Sequence, residues 1–152
     1  MIKAHQVALC ALLALSSGQF AFAAEAAGMV KVAKGQVSIE RNGKKLPAAV
    51  GSVVEVADRV RTGADASVGV TLRDNTLLSA GPNSLIVIEK FAFDNTTQDG
   101  NMSIRIRQGT LSVASGKIAK RTPESVDFHT PTSVLGVRGT EFVIEVEGNG
   151  NE

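Results

Sequence analysis

His129 stands beside Phe128 in an alternating stretch, and an imidazole there would do general acid-base work if a hydroxyl nucleophile and an orienting carboxylate lay close by. No Gly-x-Ser-x-Gly elbow presents such a serine, so the expected role of His129 is that of a partly buried structural residue. Asp94, Asp99 and Asn101, in the polar run DNTTQDGN, would offer oxygen ligands to calcium. Their spacing fits no EF-hand loop and no closing glutamate follows, whereas a solvated turn accounts for the same residues. Glu141, Glu145 and Glu147 share one face of an alternating strand, as an acid/base pair would, but a solvent-facing stripe explains them with no further assumption. Ser115-Gly116-Lys117 lacks both the upstream glycine and the following hydroxyl of a phosphate loop. Trp and Tyr are absent, which removes the usual stacking platforms for sugars and single-stranded nucleic acid. The expectation is a non-enzyme with no catalytic residues, no cofactor and no metal.

The elements that would position these residues begin after a leader. Lys3 precedes the apolar run from Val7 to Leu15, and Ala21-Phe22-Ala23 closes it, the pattern of a secretory signal peptide over residues 1–23. Ser16 to Gln19 interrupt the apolar run, which argues against an uncleaved anchor, because a full span needs ~20 apolar residues. The only cysteine, Cys10, leaves with the leader, and so disulfides, thiol chemistry and cysteine zinc sites are excluded from the mature chain. Lys3 leaves too, so sixteen cations fall to fifteen against fifteen acids. A neutral chain whose longest basic run is Lys44-Lys45 gives no electrostatic reason to bind nucleic acid or an anionic membrane. No later stretch is long enough to span a bilayer, and the mature protein is expected to be soluble, in the periplasm or secreted.

The remaining residues read as one all-β domain over 24–147, followed by a flexible tail at 148–152. Val37 to Arg41 runs into Asn42-Gly43, a pair suited to the positive φ angles of a tight hairpin. Val68, Val70 and Leu72 fall on one face of the next clear alternation, which ends at Asp74-Asn75. Leu85-Ile86-Val87-Ile88 follows the turn Gly81-Pro82-Asn83 as a continuous apolar run, suited to a strand covered on both faces. Ser103 to Arg107 and Leu111 to Val113 alternate again, and the last strand aims Phe142, Ile144 and Val146 inward. No window carries a sustained helical period. Many short strands at regular turn spacing suit a sandwich, a barrel or a β-solenoid, and periodicity alone does not choose among them.

The most deliberate stretch is TPTSVLGVRGTEF, residues 130–142. Thr130-Pro131 ends a strand, since proline cannot donate to a ladder. Gly136 and Gly139 are placed as if the backbone needed positive φ or a close approach there. Between them Val137-Arg138 projects a long cation that would bind a carboxylate or cap carbonyls. The residues by themselves favour a structural corner over a ligand site.

This stretch resembles the signature of the FecR domain family, in which Thr-Pro is followed by Gly-Val-Arg-Gly-Thr-x-Phe, here Thr130, Pro131, Gly136, Val137, Arg138, Gly139, Thr140 and Phe142. A second motif matches upstream, through Thr62, Gly63, Asp74, Gly81, Asn83 and Ser84, and the two together cover about residues 35–147. The resemblance implies a β-rich module outside the cytoplasm, solenoid-like or sandwich-like, with no enzymatic activity and a protein partner in the cell envelope. It also implies, as an alternative, an accessory sensor in cell-surface signalling linked to an outer-membrane transporter and a sigma factor. Members that grip a sigma factor carry a cytoplasmic tail, for which the six residues before Val7 are too few. The family pattern continues into a further Leu-Glu-Gly-x-Val type strand that these 152 residues do not contain.

Overall fold

Asn42 and Gly43 both hold positive φ, 51° and 75°, and turn strand β2 (Val37–Arg41) back on β3 (Lys44–Pro47) with Arg41 opposite Lys44. The same local logic closes later turns, with Asn75 at φ 68° and Asn83 at φ 51°, because asparagine tolerates the left-handed region. The computed structural model describes residues 25–148. The leader expected at 1–23, with Cys10, and the tail from residue 149 onward lie outside the described residues.

Strand β1 (Ala26–Lys34) precedes the hairpin, and β4 (Val53–Glu55), β5 (Arg59–Thr62), β6 (Ser67–Leu72), β7 (Leu77–Ala80), β8 (Leu85–Phe93) and β9 (Gly100–Ala114) follow it. They form one curled sheet in the order β3-β2-β5-β8-β9-β7-β6-β1-β4, in which every neighbouring pair is antiparallel. The chain continues through a short helix α1 (Lys117–Arg121), a single 3-10 turn (Pro123–Ser125), and strands β10 (Val126–His129), β11 (Val134–Gly136) and β12 (Glu141–Val146).

Strand β9 belongs to both halves of this sheet. Its first part lies between β8 and β10, the latter parallel to it from Met102 to Arg105. Its last part, from Leu111 to Ala114, lies between β7 and β12. Gly109, at φ 89°, sits where one pairing gives way to the other. The halves close on one continuous core to which β9 contributes Ile104, Ile106 and Leu111, each with no exposed surface. Full burial of an aliphatic side chain of this kind stabilises the fold by ~1.5–3 kcal/mol.

The all-β reading holds, and the arrangement is a sheet curled on itself rather than a solenoid of parallel coils. Val68, Val70 and Leu72 are buried together, as their alternation requires. In β8, Leu85, Ile86 and Ile88 are buried while Val87 is half-buried, so this strand is covered fully on one face and only partly on the other. Helix α1 was not foreseen. Its five residues are too few to display a helical period, yet Ile118 is completely buried and fills the end of the core.

Candidate functional site

The two motifs have opposite structural characters. The upstream one is built into the fold. Thr62 Oγ1 donates to the Gly81 carbonyl at 2.6 Å and accepts from the Ser84 amide at 2.9 Å, with Thr62 and Ser84 both buried. The Gly63 carbonyl accepts from the Asn83 amide at 3.0 Å, and the Gly81 amide donates to the Thr110 carbonyl at 3.0 Å. Ser84 Oγ accepts from the Thr110 amide at 3.1 Å, so the end of β5, the turn before β8 and the bend of β9 are tied into one corner. Asp74 makes the second lock. Its buried carboxylate accepts from Thr76 N at 3.0 Å, Thr76 Oγ1 at 2.8 Å and Ile118 N at 3.3 Å, fixing the β6–β7 turn to the start of α1. Gly116 passes so close that a Cβ there would sit 2.7 Å from Thr76 Oγ1.

The downstream motif lies on the surface. Thr130-Pro131-Thr132-Ser133 forms the turn of a hairpin between β10 and β11, in which Thr130 N donates to Ser133 O at 2.9 Å and Ser133 N donates to Thr130 Oγ1 at 3.0 Å. Proline at the second position of that turn presets its φ angle. The chain then crosses from β11 to β12 and from one half of the sheet to the other. Val137 is the peg of this crossing, 8% exposed, and Phe142 meets Phe128 edge to face with centroids 5.1 Å apart. Thr140 holds the crossing to β9 by accepting from the Ser115 amide at 2.7 Å.

The two glycines do not do what their sequence context suggests. Neither Gly136 nor Gly139 has positive φ, and a Cβ built on either meets nothing within 4 Å. The physical reason is that the crossing runs over open surface, so neither steric crowding nor a left-handed bend demands glycine there. Arg138 is likewise exposed, and among the described residues its side chain makes no ion pair or hydrogen bond, contrary to the expected carboxylate or carbonyl partner.

Among the described residues β11 pairs only with β10 and β12 only with β9, so the motif there ends in two open strand edges. A cleft of about 590 Å³ separates them, lined by Thr130–Ser133 and Leu135 on one side and by Val143–Glu147 on the other. Val134, Leu135 and Val143 leave apolar surface uncovered around it, at 63%, 38% and 65% exposure.

The candidates for chemistry separate. His129 is half-buried in β10, opposite Arg105 of β9, at a cleft that also contains Glu89, Ser103 and Asp127. Glu89 sits at a bulge between Ile88 and Lys90, where Ser103 Oγ donates to it at 3.2 Å and Arg105 Nε donates to its other oxygen. Desolvation pushes the Glu89 carboxyl upward, but Arg105, Ser103 and the nearby His129 outweigh it and hold the group below the usual carboxylate range. No hydrogen bond links His129 to a serine or a carboxylate among the described residues, so no proton relay is assembled. Asp94 accepts from the Thr96 and Thr97 amides at 2.7 and 3.1 Å, bonds that lower its pKa, and Asp99 pairs with Arg121. These are the contacts of a capped turn. Among the described residues no group of three His, Cys, Asp or Glu comes together that would hold a metal ion.

Sequence reasoning missed a charged cluster at the other end of the sheet. Arg41 clasps Asp58 through Nε at 2.8 Å and Nη2 at 2.7 Å, and reaches Glu55 at 2.9 Å. Its hydrogen bonding to Asp58 is the main influence that raises the guanidinium pKa. Asp58 is 1% exposed and lies 17 positions from Arg41, a separation no local pattern reveals.

The downstream motif is thus a surface hairpin and crossing carried by an interlocked β scaffold. The profile described as FecR protein matches residues 58–152, well over half of the chain, and the protein belongs to that family, one of cell-surface signalling regulators. Neither a curated protein nor a solved structure gives a significant match to this chain. Among the described residues no helix is long and apolar enough to cross a membrane.

Proposed function

We propose that this protein is an exported, non-enzymatic interaction module of the cell envelope whose docking surface runs from Thr130 to Glu147. The observation that carries this reading is the contrast between the motifs. Thr62, Asp74 and Ser84 are consumed by internal hydrogen bonds, whereas Gly136, Arg138 and Gly139 are exposed and serve no packing need. Glycines on open surface leave bare backbone that another chain can approach closely. Exposed Val134, Leu135 and Val143 supply apolar area beside it. Membership of a signalling family supports a protein, rather than a metabolite, as the occupant.

The test is in-cell photocrosslinking of the full chain with a crosslinker at position 134, 143 or 45, followed by mass spectrometry. Adducts to one envelope protein from positions 134 and 143, with none from Lys45 in β3, are the expected result. Equal adducts from all three positions, or a measurable turnover, would count against it.

Family membership favours a second, narrower reading, in which the module is an accessory sensor coupled to an outer-membrane transporter and a sigma factor. A transporter or membrane-bound regulator among the adducts is what that reading requires. Recovery of cell-wall or secretion components alone would refute it.

A further inference from the structure

Resting on the docking surface just described, we propose that β12 accepts an additional strand from its partner and that this strand is basic, alternating Lys or Arg with aliphatic residues. Five consecutive residues of β12 and its end, Val143 to Glu147, line the cleft. Successive residues point to opposite faces, so the open space lies along the strand's edge, where unpaired amides and carbonyls project. A residue of strand fills roughly 160 Å³, from a rise of ~3.3 Å, a strand spacing of ~4.8 Å and a sheet spacing of ~10 Å. The cleft of about 590 Å³ therefore admits about three to four residues of an added strand.

Of the edge strands, β12 is the one suited to this. Strand β3 carries Lys44, Lys45 and Pro47, which discourage pairing, and β4 and β11 are only three residues long. Strand β12 has six residues and no proline. Its inward side, Phe142, Ile144 and Val146, is held against the core, so the edge is ordered before anything binds. Its outward side presents Glu141, Val143 and Glu145, with Glu147 just beyond, all exposed. None of these glutamates forms a salt bridge among the described residues.

A side chain directly opposite in an added strand lies ~4.5–5.5 Å away, where like charges repel and opposite charges attract. A second copy of β12 is disfavoured on that ground. Of the antiparallel registers that keep the outward faces together, the one aligning residues 141–145 sets Glu141 against Glu145, and the one aligning residues 141–147 sets Glu141 against Glu147. A strand that alternates cations with aliphatic residues sets its cations along the outward face, opposite Glu141, Glu145 and Glu147, and its aliphatic residues along the inward face, opposite Phe142, Ile144 and Val146.

The test uses the full chain and a short, capped, fluorescein-labelled peptide of alternating Lys and Val. Its controls are the alternating Glu and Val peptide and the Lys-Val peptide N-methylated at every second amide. The expected result is a Kd for Lys-Val about tenfold or more below those of both controls, with amide shifts in residues 141–147. The Glu145→Lys variant, which alters an exposed side chain only, should shift the preference toward the Glu-Val peptide. Equal binding of the N-methylated peptide, shifts confined to β3 or β4, or no binding at about 1 mM would overturn the proposal. Such a failure, with crosslinks still arising at positions 134 and 143, would refute strand addition while the docking surface stood.

Discussion

Replacing Gly109 by alanine should be among the most damaging single-methyl changes in this protein. At φ 89° an alanine is strained, at a cost of ~1–2 kcal/mol for a left-handed L-residue. The added Cβ would stand 2.5 Å from the Ser84 Cα and nearer still to its hydroxyl, and Ser84 is 1% exposed, with nowhere to retreat. Overpacking of this kind costs ~1–3 kcal/mol. Displacing Ser84 Oγ also weakens its bond to the Thr110 amide, a further ~1 kcal/mol. The total is about 3–6 kcal/mol, a large part of the ~5–15 kcal/mol that holds a typical domain together. Gly51→Ala provides the control for backbone strain alone, because Gly51 has φ 93° and nothing within 4 Å. Gly136→Ala and Gly139→Ala provide the second control and should stay within ~0.5 kcal/mol of the parent. Urea unfolding followed by far-UV circular dichroism is the assay, since the chain has neither Trp nor Tyr to report by fluorescence. If Gly109→Ala costs no more than Gly51→Ala, the reasoning that Ser84 locks the bend is wrong.

Arg41→Ala leaves Asp58 buried with only the Glu55 amide to bond it, and should cost ~3 kcal/mol, read from urea midpoints. Arg41→Lys should recover less than half of that, because an ammonium cannot reproduce the two-toothed grip. Asp74→Asn replaces one carboxylate oxygen by a donor, which at the Oδ2 position faces both Thr76 Oγ1 and the Ile118 amide and at the Oδ1 position faces the Thr76 amide, for a loss of ~1–3 kcal/mol; thermal melts equal to the parent's would refute that lock. Glu89 has a depressed pKa, so its stabilising contribution is complete above the unfolded-state value of ~4.3 and is lost as pH falls through the folded value. Glu89→Gln should therefore flatten the unfolding free energy below about pH 5, by under ~1 kcal/mol because the pair is partly exposed, and an unchanged pH profile would contradict this.

The turns were legible because a dipeptide encodes them. Asn42-Gly43 and Asn75 take the positive φ that their chemistry permits, whatever surrounds them. The faces of β6 and β12 were legible because alternation is a property of the strand alone. The order of strands was not, since nothing local distinguishes a neighbour close in sequence from one far away. Gly109 and Gly136 show the same limit. Gly136 was expected to need positive φ or a close approach and Gly109 drew no such expectation, yet the path of distant chain leaves open space around Gly136 and sets Ser84 against Gly109. Arg41 and Asp58 stayed hidden for a related reason, as each is unremarkable until β2 and β5 lie side by side. The opposite structural characters of the two family motifs emerged only from their hydrogen bonds.

Strand β9 pairs with β7, β8, β10 and β12, and those strands have no other shared member. Opening either half of the sheet to its centre therefore means detaching the same strand that closes the other half. The fold has one failure mode: amides along β9 should exchange with solvent only through global unfolding, while those of β3, β4 and β11 exchange through local fraying. Tension applied at the β12 edge thus acts on a body that moves as a unit and is passed to β9 without a weaker joint to absorb it.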